Sequence, residues 1–398
     1  MNLSLKRYPL AVIVLAQLFG TSLWFSVNGV WLSLSGQLGL NEADLGRLTL
    51  AVQAGFILGT LTLAVTGLAD RFGASRIFAV ASLLGALINA GFVLVAGQAP
   101  LDFVLRFATG LCLAGIYPLG MKLVIAWTPK HSGAALAWLV GMLTLGTALP
   151  HLMRGATFGL PWEWPLLGAS MLAIVGAALV FLLGEGPHLP ASKGGIPLRQ
   201  GLAALKVPGF RAAAGGYFGH MWELYAFWTL VPLFIGRELQ RLGAGNELIP
   251  WLAFAVIGIG AAGCVGGGAL SRVLGSEWVA RRALMVSGSL CLFYPLMNGL
   301  PPELLIILML VWGIAVIADS PQFSALAAAS APKESVGSSL AVMNAVGFSL
   351  TLPAIWLTSG LWQSWGVWVA LVLFPGPVYG LWSFTRARIA GPDRQNAG

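Results

Sequence analysis

Two stretches of this chain carry the same glycine and proline pattern. Residues 110–160 match residues 313–363 at a fixed offset of 203. The matching pairs are Gly110 with Gly313, Pro118 with Pro321, Pro129 with Pro332, Lys130 with Lys333 and Pro150 with Pro353. Because glycine and proline set kinks, turns and close backbone contacts, their repetition in register predicts a repeated backbone shape. We therefore expect two similar halves.

The composition predicts that both halves lie in a membrane. Of the 398 residues, 58% are hydrophobic and 9% are charged, and the mean hydropathy is +0.84. Soluble domains carry about 25% charged residues, so this chain has too few polar groups to cover a surface in water. Two like halves in a membrane predict a pseudo-symmetric bundle with a site between them, the usual plan of a secondary transporter.

Twelve apolar segments are long enough to cross the hydrocarbon, which takes about 20 residues. They lie at 8–34, 44–69, 75–97, 101–127, 133–158, 164–184, 212–236, 248–271, 281–299, 302–329, 335–360 and 365–385. The longest polar stretch separates the first six from the second six. The predicted organisation is an all-α polytopic membrane protein, with a six-helix bundle over 1–184, a cytoplasmic linker over 185–211, and a second bundle with a short tail over 212–398.

The basic residues orient these spans. With twelve spans both termini lie on one side, and 16 of the 22 basic residues fall in loops on that side against 3 on the other. This bias predicts cytoplasmic termini and a cytoplasmic linker. It also accounts for the net charge of +8 without a nucleic-acid partner. We see no clustered nucleophile, metal-ligand set or phosphate loop, so neither an enzyme nor a cofactor is expected.

The loop after the second span carries a motif. Residues 67–76 read GLADRFGASR, which resembles the loop signature of the major facilitator superfamily (MFS): a glycine, then Asp-Arg-x-Gly, then basic residues. Here Gly67 lies three rather than four residues before Asp70, and the basic pair is reduced to Arg76. The matching loop of the second half has Ser271 in place of the acid. Span 4 adds Arg106 and Gly110, similar to the family's Arg-x-x-x-Gly motif.

The resemblance implies an MFS fold, in which two six-helix bundles rock about a central cavity lined by spans 1, 4, 7 and 10. It implies that Asp70 and Arg71, with Gly73 and Arg76, form a cytoplasmic latch that holds the outward-facing state, although they could be ordinary loop charges. Overall the chain leans toward bacterial nitrate/nitrite- or cyanate-type transporters. A bacterial inner-membrane location follows from that likeness. The nitrate porters' arginines on spans 2 and 8 have no counterpart, so nitrate itself is not expected.

Two acids lie near the middle of predicted spans. Glu223 is on span 7 and Asp319 is on span 10. A charge at the bilayer centre costs about 2.5–3.5 kcal/mol even on permissive scales, so each acid needs a reason to be there. Either acid could carry a coupling proton, with His220 and Gln322 on the same helical faces as neighbours. Alternatively, each is held in a static hydrogen bond or ion pair.

Polar and aromatic side chains in the first half suggest a substrate site. On span 5, Thr147, His151 and Arg154 share one face, and a guanidinium suits a carboxylate. Arg154 could instead snorkel to the interface. On span 1, Trp24 and Asn28 share a face, although tryptophan is also common at lipid interfaces. Arg106, His220 and Gln322 complete the predicted substrate-binding set.

Three functions follow from these features. The leading hypothesis is proton-coupled symport of a small organic or inorganic anion, because basic groups in the first half face acids in the second. The runner-up is proton-driven efflux of lipophilic drugs or metabolites. Its usual Gly-Pro pair in span 5 is missing, because Leu149 precedes Pro150. The third is a non-transporting membrane protein. The transporter is expected to be monomeric.

Overall fold

The computed structural model describes residues 5–129, 132–188, 198–332 and 335–389, and within these ranges the regular structure is entirely helical. The spans are Pro9–Thr21 with Ser26–Leu38, Glu42–Thr66, Ala74–Val95, Leu101–Ala114 with Tyr117–Trp127, Ser132–Ala156, Glu163–Leu183, Pro208–Leu242, Leu248–Gly258 with Gly260–Leu274, Ser276–Leu296, Pro302–Ala318 with Ser320–Ser330, Val336–Trp365, and Ala370–Leu373 with Pro375–Ile389. We number them spans 1 to 12.

Nine stretches of the described chain are long and apolar enough to cross a membrane. The last of them, Val336–Arg386, is 51 residues long and contains both span 11 and span 12. Spans 7 and 9 are the other two crossings. Span 7 carries polar residues such as His220 and Glu223, and span 9 begins with charged residues such as Arg281, which lowers their hydropathy. The predicted twelve-span fold is confirmed.

Prolines and glycines mark the ends of these helices. Pro9, Pro208 and Pro302 stand in first turns, where a missing N–H costs nothing. Gly39 and Gly243 end spans 1 and 7 with φ of 67° and 66°, a left-handed conformation that favours glycine. The bounds differ from the predicted ones by a few residues at most ends, and span 7 runs six residues further on its outer side.

The repeat reproduces breaks in two spans. Span 4 is interrupted between Ala114 and Tyr117, and span 10 is interrupted at Asp319. Pro118 and Pro321 both stand in the first turn of the helix that resumes. The resumed helices, Tyr117–Trp127 and Ser320–Ser330, are related by the same offset of 203 residues. The repeated prolines therefore restart equivalent helices, while Lys130 and Lys333 of the repeat lie outside the described residues.

The repeated glycines make equivalent close contacts. A Cβ on Gly110 would lie 2.0 Å from the carbonyl oxygen of Val52 on span 2. A Cβ on Gly313 would lie 1.9 Å from the carbonyl oxygen of Val256 on span 8. Real Cβ atoms do not approach so closely, so both positions need glycine for their helices to touch. The repeat thus specifies how span 4 packs on span 2 and how span 10 packs on span 8.

Span 1 departs from the prediction, which gave one continuous helix. It stops at Thr21 and resumes at Ser26. The intervening backbone turns at Ser22 and leaves the carbonyl groups of Leu23 and Trp24 free of helical bonds, so that they accept hydrogen bonds from Arg106. The sequence prediction was wrong here because residues 22–25 contain neither glycine nor proline, and Gly20 beside them is one of many glycines in the apolar spans. Span 7, the first span of the second half, is continuous.

The two halves meet along two helix pairs. Span 2 packs on span 11, and span 5 packs on both segments of span 8. Each half also packs internally, for example span 2 on span 4 and span 7 on span 12. The predicted linker boundaries stay a prediction, because residues 189–197 lie outside the described residues. Pro208–Arg211 of the proposed linker already belong to span 7.

Candidate functional site

A cavity of about 270 Å³ lies between the halves, on the side of the membrane that carries the termini. Its walls come from the ends of spans 2 and 4 and from the start of span 11. Rim residues such as Leu63 and Lys122 are partly exposed, whereas Phe56 and Phe348 at its floor are buried. The lining is Phe56, Ile57, Thr60, Leu63, Ala64, Tyr117, Pro118, Leu119, Met121, Lys122, Gly337, Leu340, Ala341, Asn344, Ala345 and Phe348. Apolar and aromatic groups dominate it.

An aromatic layer closes the cavity. The rings of Phe56 and Phe348 lie 4.6 Å apart across the two halves. Trp24 stacks behind them, 4.6 Å from Phe56 and 5.4 Å from Tyr225. Phe25 continues the layer. Because the members come from both halves, the layer must separate or rearrange if the halves move apart.

The predicted face of Trp24 and Asn28 therefore points inward, and not to lipid. Trp24 is fully buried in the aromatic layer, and its Nε1 donates to Gln53 Oε1 at 3.1 Å. Asn28 lies one turn further out, where its Nδ2 donates to Thr49 Oγ1 at 3.0 Å. Both side chains are thus held in place by span 2.

The opposite side of the molecule is closed. Gln363 Nε2 donates to Glu42 Oε2 at 3.0 Å across the outer ends of spans 11 and 2. A Cβ on Gly46 would lie 1.9 Å from Ser359 Oγ, so the two spans touch one turn deeper. On the other flank, Trp251 of span 8 lies against Gly155 of span 5. The molecule is therefore open toward its termini and closed on the far side.

His220 and Asp319 form a buried pair in the second half. His220 Nδ1 lies 2.8 Å from Asp319 Oδ1, close enough for an ion pair although not aligned as a hydrogen bond. The ring of Tyr217 is 6.0 Å from that of His220 and also packs on Gly347, next to Phe348 of the cavity floor. The pair therefore lies close behind the cavity wall. Gln322 is buried one turn further along span 10.

Glu223 lies apart from the cavity, in the interior of the second half. Ser287 Oγ donates to one carboxylate oxygen at 2.9 Å. Trp312 Nε1 and Cys291 Sγ donate to the other at 2.6 and 3.3 Å. The acid thus links spans 7, 9 and 10. The family resemblance implies that span 7 lines the central cavity, and Tyr225 of span 7 meets the first half, whereas the face of Glu223 turns into the second half.

Arg106 is bound inside the first half. Its Nη2 donates to Trp24 O at 2.6 Å, and its Nη1 lies 3.3 Å from Leu23 O, Ser26 Oγ and Asn89 Oδ1. The side chain is fully buried and lines none of the cavities described here. Among the predicted substrate residues Arg106 contacts only the backbone of Trp24, within the described part of the chain, and it does not reach the pocket of His151 and Arg154. Its contacts support the broken span 1.

The polar face of span 5 divides into two parts. The hydroxyl groups of Thr144 and Thr147 donate to carbonyls of their own helix, at 3.0 and 2.9 Å. His151 and Arg154 instead line a second pocket of about 210 Å³, together with Asn28. This pocket lies on the closed side, across the aromatic layer from the larger cavity. Thr147 is thus not part of it.

The loop motif is only partly described, because the side chain of Asp70 lies outside the described residues. Arg71 and Arg76 are exposed. A Cβ on Gly73 would lie 2.4 Å from Glu185 Oε1, which accepts hydrogen bonds from the backbone N and the Oγ of Ser75 at 2.8 and 2.6 Å. Gly73 therefore makes room for Glu185 at the start of span 3.

Several residues of these sites could not be found from the sequence. Cys291 lies in an apolar run, where a cysteine resembles a small apolar residue, yet its thiol contacts Glu223. Phe56 and Phe348 look like ordinary core or lipid-facing aromatics in an apolar helix. Tyr117 was overlooked as well, although it precedes Pro118 of the repeat and so stands at a predicted kink.

Comparison with known proteins identifies the family. The family model of the Major Facilitator Superfamily matches residues 13–353. A quinolone resistance transporter of Acinetobacter baumannii is 27% identical over 173 residues, which span 39% of this chain and 37% of that relative. The chain thus matches well under half of that protein's length.

Solved structures show the same fold. A bacterial homolog of the human lysosomal transporter Spinster, in an inward-facing and unoccupied conformation, aligns with a TM-score of 0.67 at 16% identity, over 97% of this chain and 95% of that one. Its inward-facing occupied form aligns over the same shares with a TM-score of 0.65 at 15% identity. The chain belongs to the major facilitator superfamily, and it is a membrane transporter rather than an enzyme.

Proposed function

We propose that this protein exports lipophilic, partly aromatic organic compounds in exchange for protons. The observation that carries the proposal is the cavity open toward the termini, whose lining is apolar and aromatic and comes from both halves. Binding sites for such compounds are mostly apolar with a few polar groups that fix orientation. The polar groups of this lining are Thr60 Oγ1, the Tyr117 hydroxyl, the Asn344 amide and, at the rim, the Lys122 ammonium. Thr60 Oγ1 is buried without a hydrogen-bond partner among the described residues.

Orientation gives the direction of transport. The excess of basic residues in loops on the termini side supports a cytoplasmic location for the termini, and hence for the open cavity. A lipophilic compound would then bind from the cytoplasm and leave on the far side. The name of the quinolone resistance transporter agrees with such a substrate class. A bacterial inner membrane and a monomeric state are part of this proposal.

Alternating access would use the contacts already described. In the present state the outer contacts between spans 2 and 11 are made and the termini side is open. Rocking of the two halves would break the Glu42–Gln363 contact, open the aromatic layer and close the cytoplasmic side. The exposed Arg71 and Arg76 would take part in that closed cytoplasmic contact, together with Asp70.

We assign the coupling proton to the His220–Asp319 pair. It lies close behind the cavity wall, and its contact is a single approach at 2.8 Å that a proton or a movement of span 10 can change. Asp319 also stands where span 10 is interrupted. Glu223 holds three donors from three side chains, which suits a fixed structural link better than a group that gains and loses a proton.

The alternative is proton-coupled symport of a small anion. One observation favours it, namely the polar pocket that brings Asn28, His151 and Arg154 together. The open cavity is mostly apolar, its basic residue Lys122 lies at the partly exposed rim, and Arg106 is bound to backbone carbonyls. The anion hypothesis therefore ranks second, and the likeness to nitrate/nitrite- or cyanate-type transporters stays a prediction.

Proteoliposomes under an imposed pH gradient distinguish the two functions. With norfloxacin, a fluorescent quinolone, as the probe, antiport predicts accumulation driven by an acidic interior. Symport of a small anion predicts no accumulation of norfloxacin, and instead proton uptake driven by an inward gradient of the anion. Empty liposomes give the passive leak. No protein-dependent movement across a panel of aromatic compounds, together with proton uptake driven by a small anion, would overturn the export proposal.

Asp319→Asn is the matched test of the proton site. It should abolish gradient-driven accumulation while leaving exchange of labelled for unlabelled compound, which needs no net proton movement. Retained exchange also shows that the variant is folded. Gradient-driven accumulation that persists in Asp319→Asn would assign the proton elsewhere.

A further inference from the structure

The pocket on the closed side is built from both halves. Asn28 and Ser33 come from span 1 and His151 and Arg154 from span 5, while Pro232, Asn246, Ile249 and Pro250 come from the second half. Its rim is exposed at Asn246, so the pocket can be reached from the outer side while the halves are closed. At about 210 Å³ it is smaller than the roughly 300–1,000 Å³ of drug-sized sites. It suits a small ion.

Arg154 brings a positive charge to the lining of this pocket. Its side chain is 7% exposed, and no carboxylate forms an ion pair with it within the described ranges. Nη2 donates to Ser33 Oγ at 2.6 Å and Nη1 to Leu160 O at 2.8 Å, with Thr157 O at 3.5 Å. A guanidinium has five N–H donors, so donors remain for a ligand. A buried cation paired only with neutral groups is costly, and an anion would reduce that cost.

A second group in the pocket lacks a partner. His151 is 1% exposed, and among the residues that the structure describes its Nε2 has no hydrogen-bond partner. It is placed here by close helix packing, because a Cβ on Gly29 would lie 2.6 Å from Pro150 Cβ and 3.0 Å from His151 N. Span 1 thus lies directly against span 5 at this level. An oxygen of a ligand bound to Arg154 would find the imidazole as a further neighbour.

We infer that this pocket is a binding site for a small carboxylate that enters from the outer side and stabilises the outward-closed state. Planar carboxylates match the fork of a guanidinium. Because the lining comes from both halves, the site is complete only while the outer side is closed. A ligand that binds one state better shifts the population toward that state. The inference that the pocket binds a carboxylate does not depend on the proposed export function. The inferred effect on transport does rest on that proposed function.

Binding is tested on the purified full-length protein in detergent, with acetate as the probe. Sodium acetate replaces sodium chloride at constant ionic strength, and acetamide, a neutral molecule of the same shape, is the ligand control. We expect acetate to raise the thermal unfolding midpoint and to give a calorimetric binding curve, and acetamide to do neither. An equal response to acetamide would overturn the inference.

Arg154→Gln should weaken acetate binding by about tenfold or more, as expected for a charged hydrogen bond. Arg47→Gln, at an exposed arginine on the same side but outside the pocket, should leave it unchanged. Should Arg154→Gln fold poorly, Asn246→Asp places a negative charge at the exposed rim and should weaken binding as well. Unchanged acetate affinity in both Arg154→Gln and Asn246→Asp would overturn the inference.

The effect on the conformational equilibrium is measured by equilibrium exchange of norfloxacin, with the same pH and the same acetate on both sides. Acetate should slow exchange in the wild type and have no effect in Arg154→Gln. Protein-dependent uptake of labelled acetate would overturn the inference by making the pocket a substrate site. Absence of any norfloxacin exchange together with intact acetate binding would count against the export proposal alone.

Discussion

The two halves bury charges of opposite sign and satisfy them in different ways. In the first half, Arg106 donates to the carbonyl groups of Leu23 and Trp24, which are free because span 1 is broken. In the second half, span 7 is continuous, and Glu223 accepts hydrogen bonds from side chains of spans 9 and 10. The first charge thus stabilises an irregular backbone, and the second links regular helices.

The difference shows what the internal repeat preserves. At the offset of 203 residues, Arg106 corresponds to Met309, which is buried and apolar. The glycines and prolines keep their places, and so do the breaks of spans 4 and 10. Backbone contacts are therefore shared by the halves, whereas each half has its own buried polar network. Substitutions in the backbone contacts and in the buried polar networks test this interpretation separately.

The largest effect is expected from Arg106→Met. It leaves the buried Trp24 carbonyl without a donor and removes one of the two donors to Leu23 O, which keeps Ser26 Oγ at 3.1 Å. Hydrogen bonds to charged groups are worth about 1.5–3 kcal/mol each, so we expect a loss of about 3 kcal/mol or more. The thermal inactivation midpoint in detergent measures it. Arg106→Lys keeps the charge but cannot bridge the carbonyls equally well, and it should be intermediate. Wild-type stability of Arg106→Met would show that the break of span 1 does not depend on this residue.

Equal effects are expected for Gly110→Ala and Gly313→Ala. Each new Cβ would lie far inside the van der Waals distance of a carbonyl oxygen, at 2.0 Å for Gly110 and 1.9 Å for Gly313. Helices must move apart to relieve this, which costs about 1–3 kcal/mol. Gly360→Ala is the matched control, because nothing lies within 4 Å of its Cβ position. A loss in only one of the two variants would contradict the structural equivalence of the halves.

Sequence reasoning reached the fold through these shared features. Hydrophobic length gave the number of spans, and the repeated prolines marked the restart of spans 4 and 10. It missed the break of span 1, because the cause lies in Arg106, about 80 residues away in the chain. The residues around the break do not indicate a hydrogen-bond donor so far away in the sequence.

The candidate site was harder to predict. Helical spacing placed His220 and Glu223 on one face correctly, and both contact span 10. It could not say that this face turns into the second half, because rotation about the helix axis is set by packing partners. For the same reason the sequence predicts His151 and Arg154 together as substrate residues, but it does not indicate that they line a pocket on the closed side.

Glu223→Gln sharpens the contrast between the two acids of the second half. The amide keeps the shape but replaces one acceptor oxygen by a donor that faces Ser287 or Trp312, so a loss of about 1–2 kcal/mol is expected. Gradient-driven transport should survive, in contrast to Asp319→Asn. Proton-coupled uptake and the thermal midpoint are measured on the same preparation. Loss of proton coupling in Glu223→Gln with an unchanged thermal midpoint would assign the coupling proton to Glu223 and not to Asp319.

The smallest effects are expected at two glycines in the corresponding loops of the halves, after spans 2 and 8. Gly275 has φ of 85° and nothing near its Cβ position, whereas Gly73 has φ of −60° and is crowded by Glu185. Gly275→Ala should therefore cost about 1 kcal/mol through backbone strain. Gly73→Ala should cost less, because the Glu185 side chain can move away.

Glu185→Ala separates these two causes. It removes the side chain that crowds Gly73, at the price of the hydrogen bonds to Ser75. In that background Gly73→Ala should have no further effect, because the clash is gone, while Gly275→Ala should keep its full effect. A double-mutant cycle on the thermal midpoint measures both couplings. Additivity of Gly73→Ala and Glu185→Ala would show that the cost of replacing Gly73 does not come from a clash with Glu185. The proposed difference between the two loops would then be wrong.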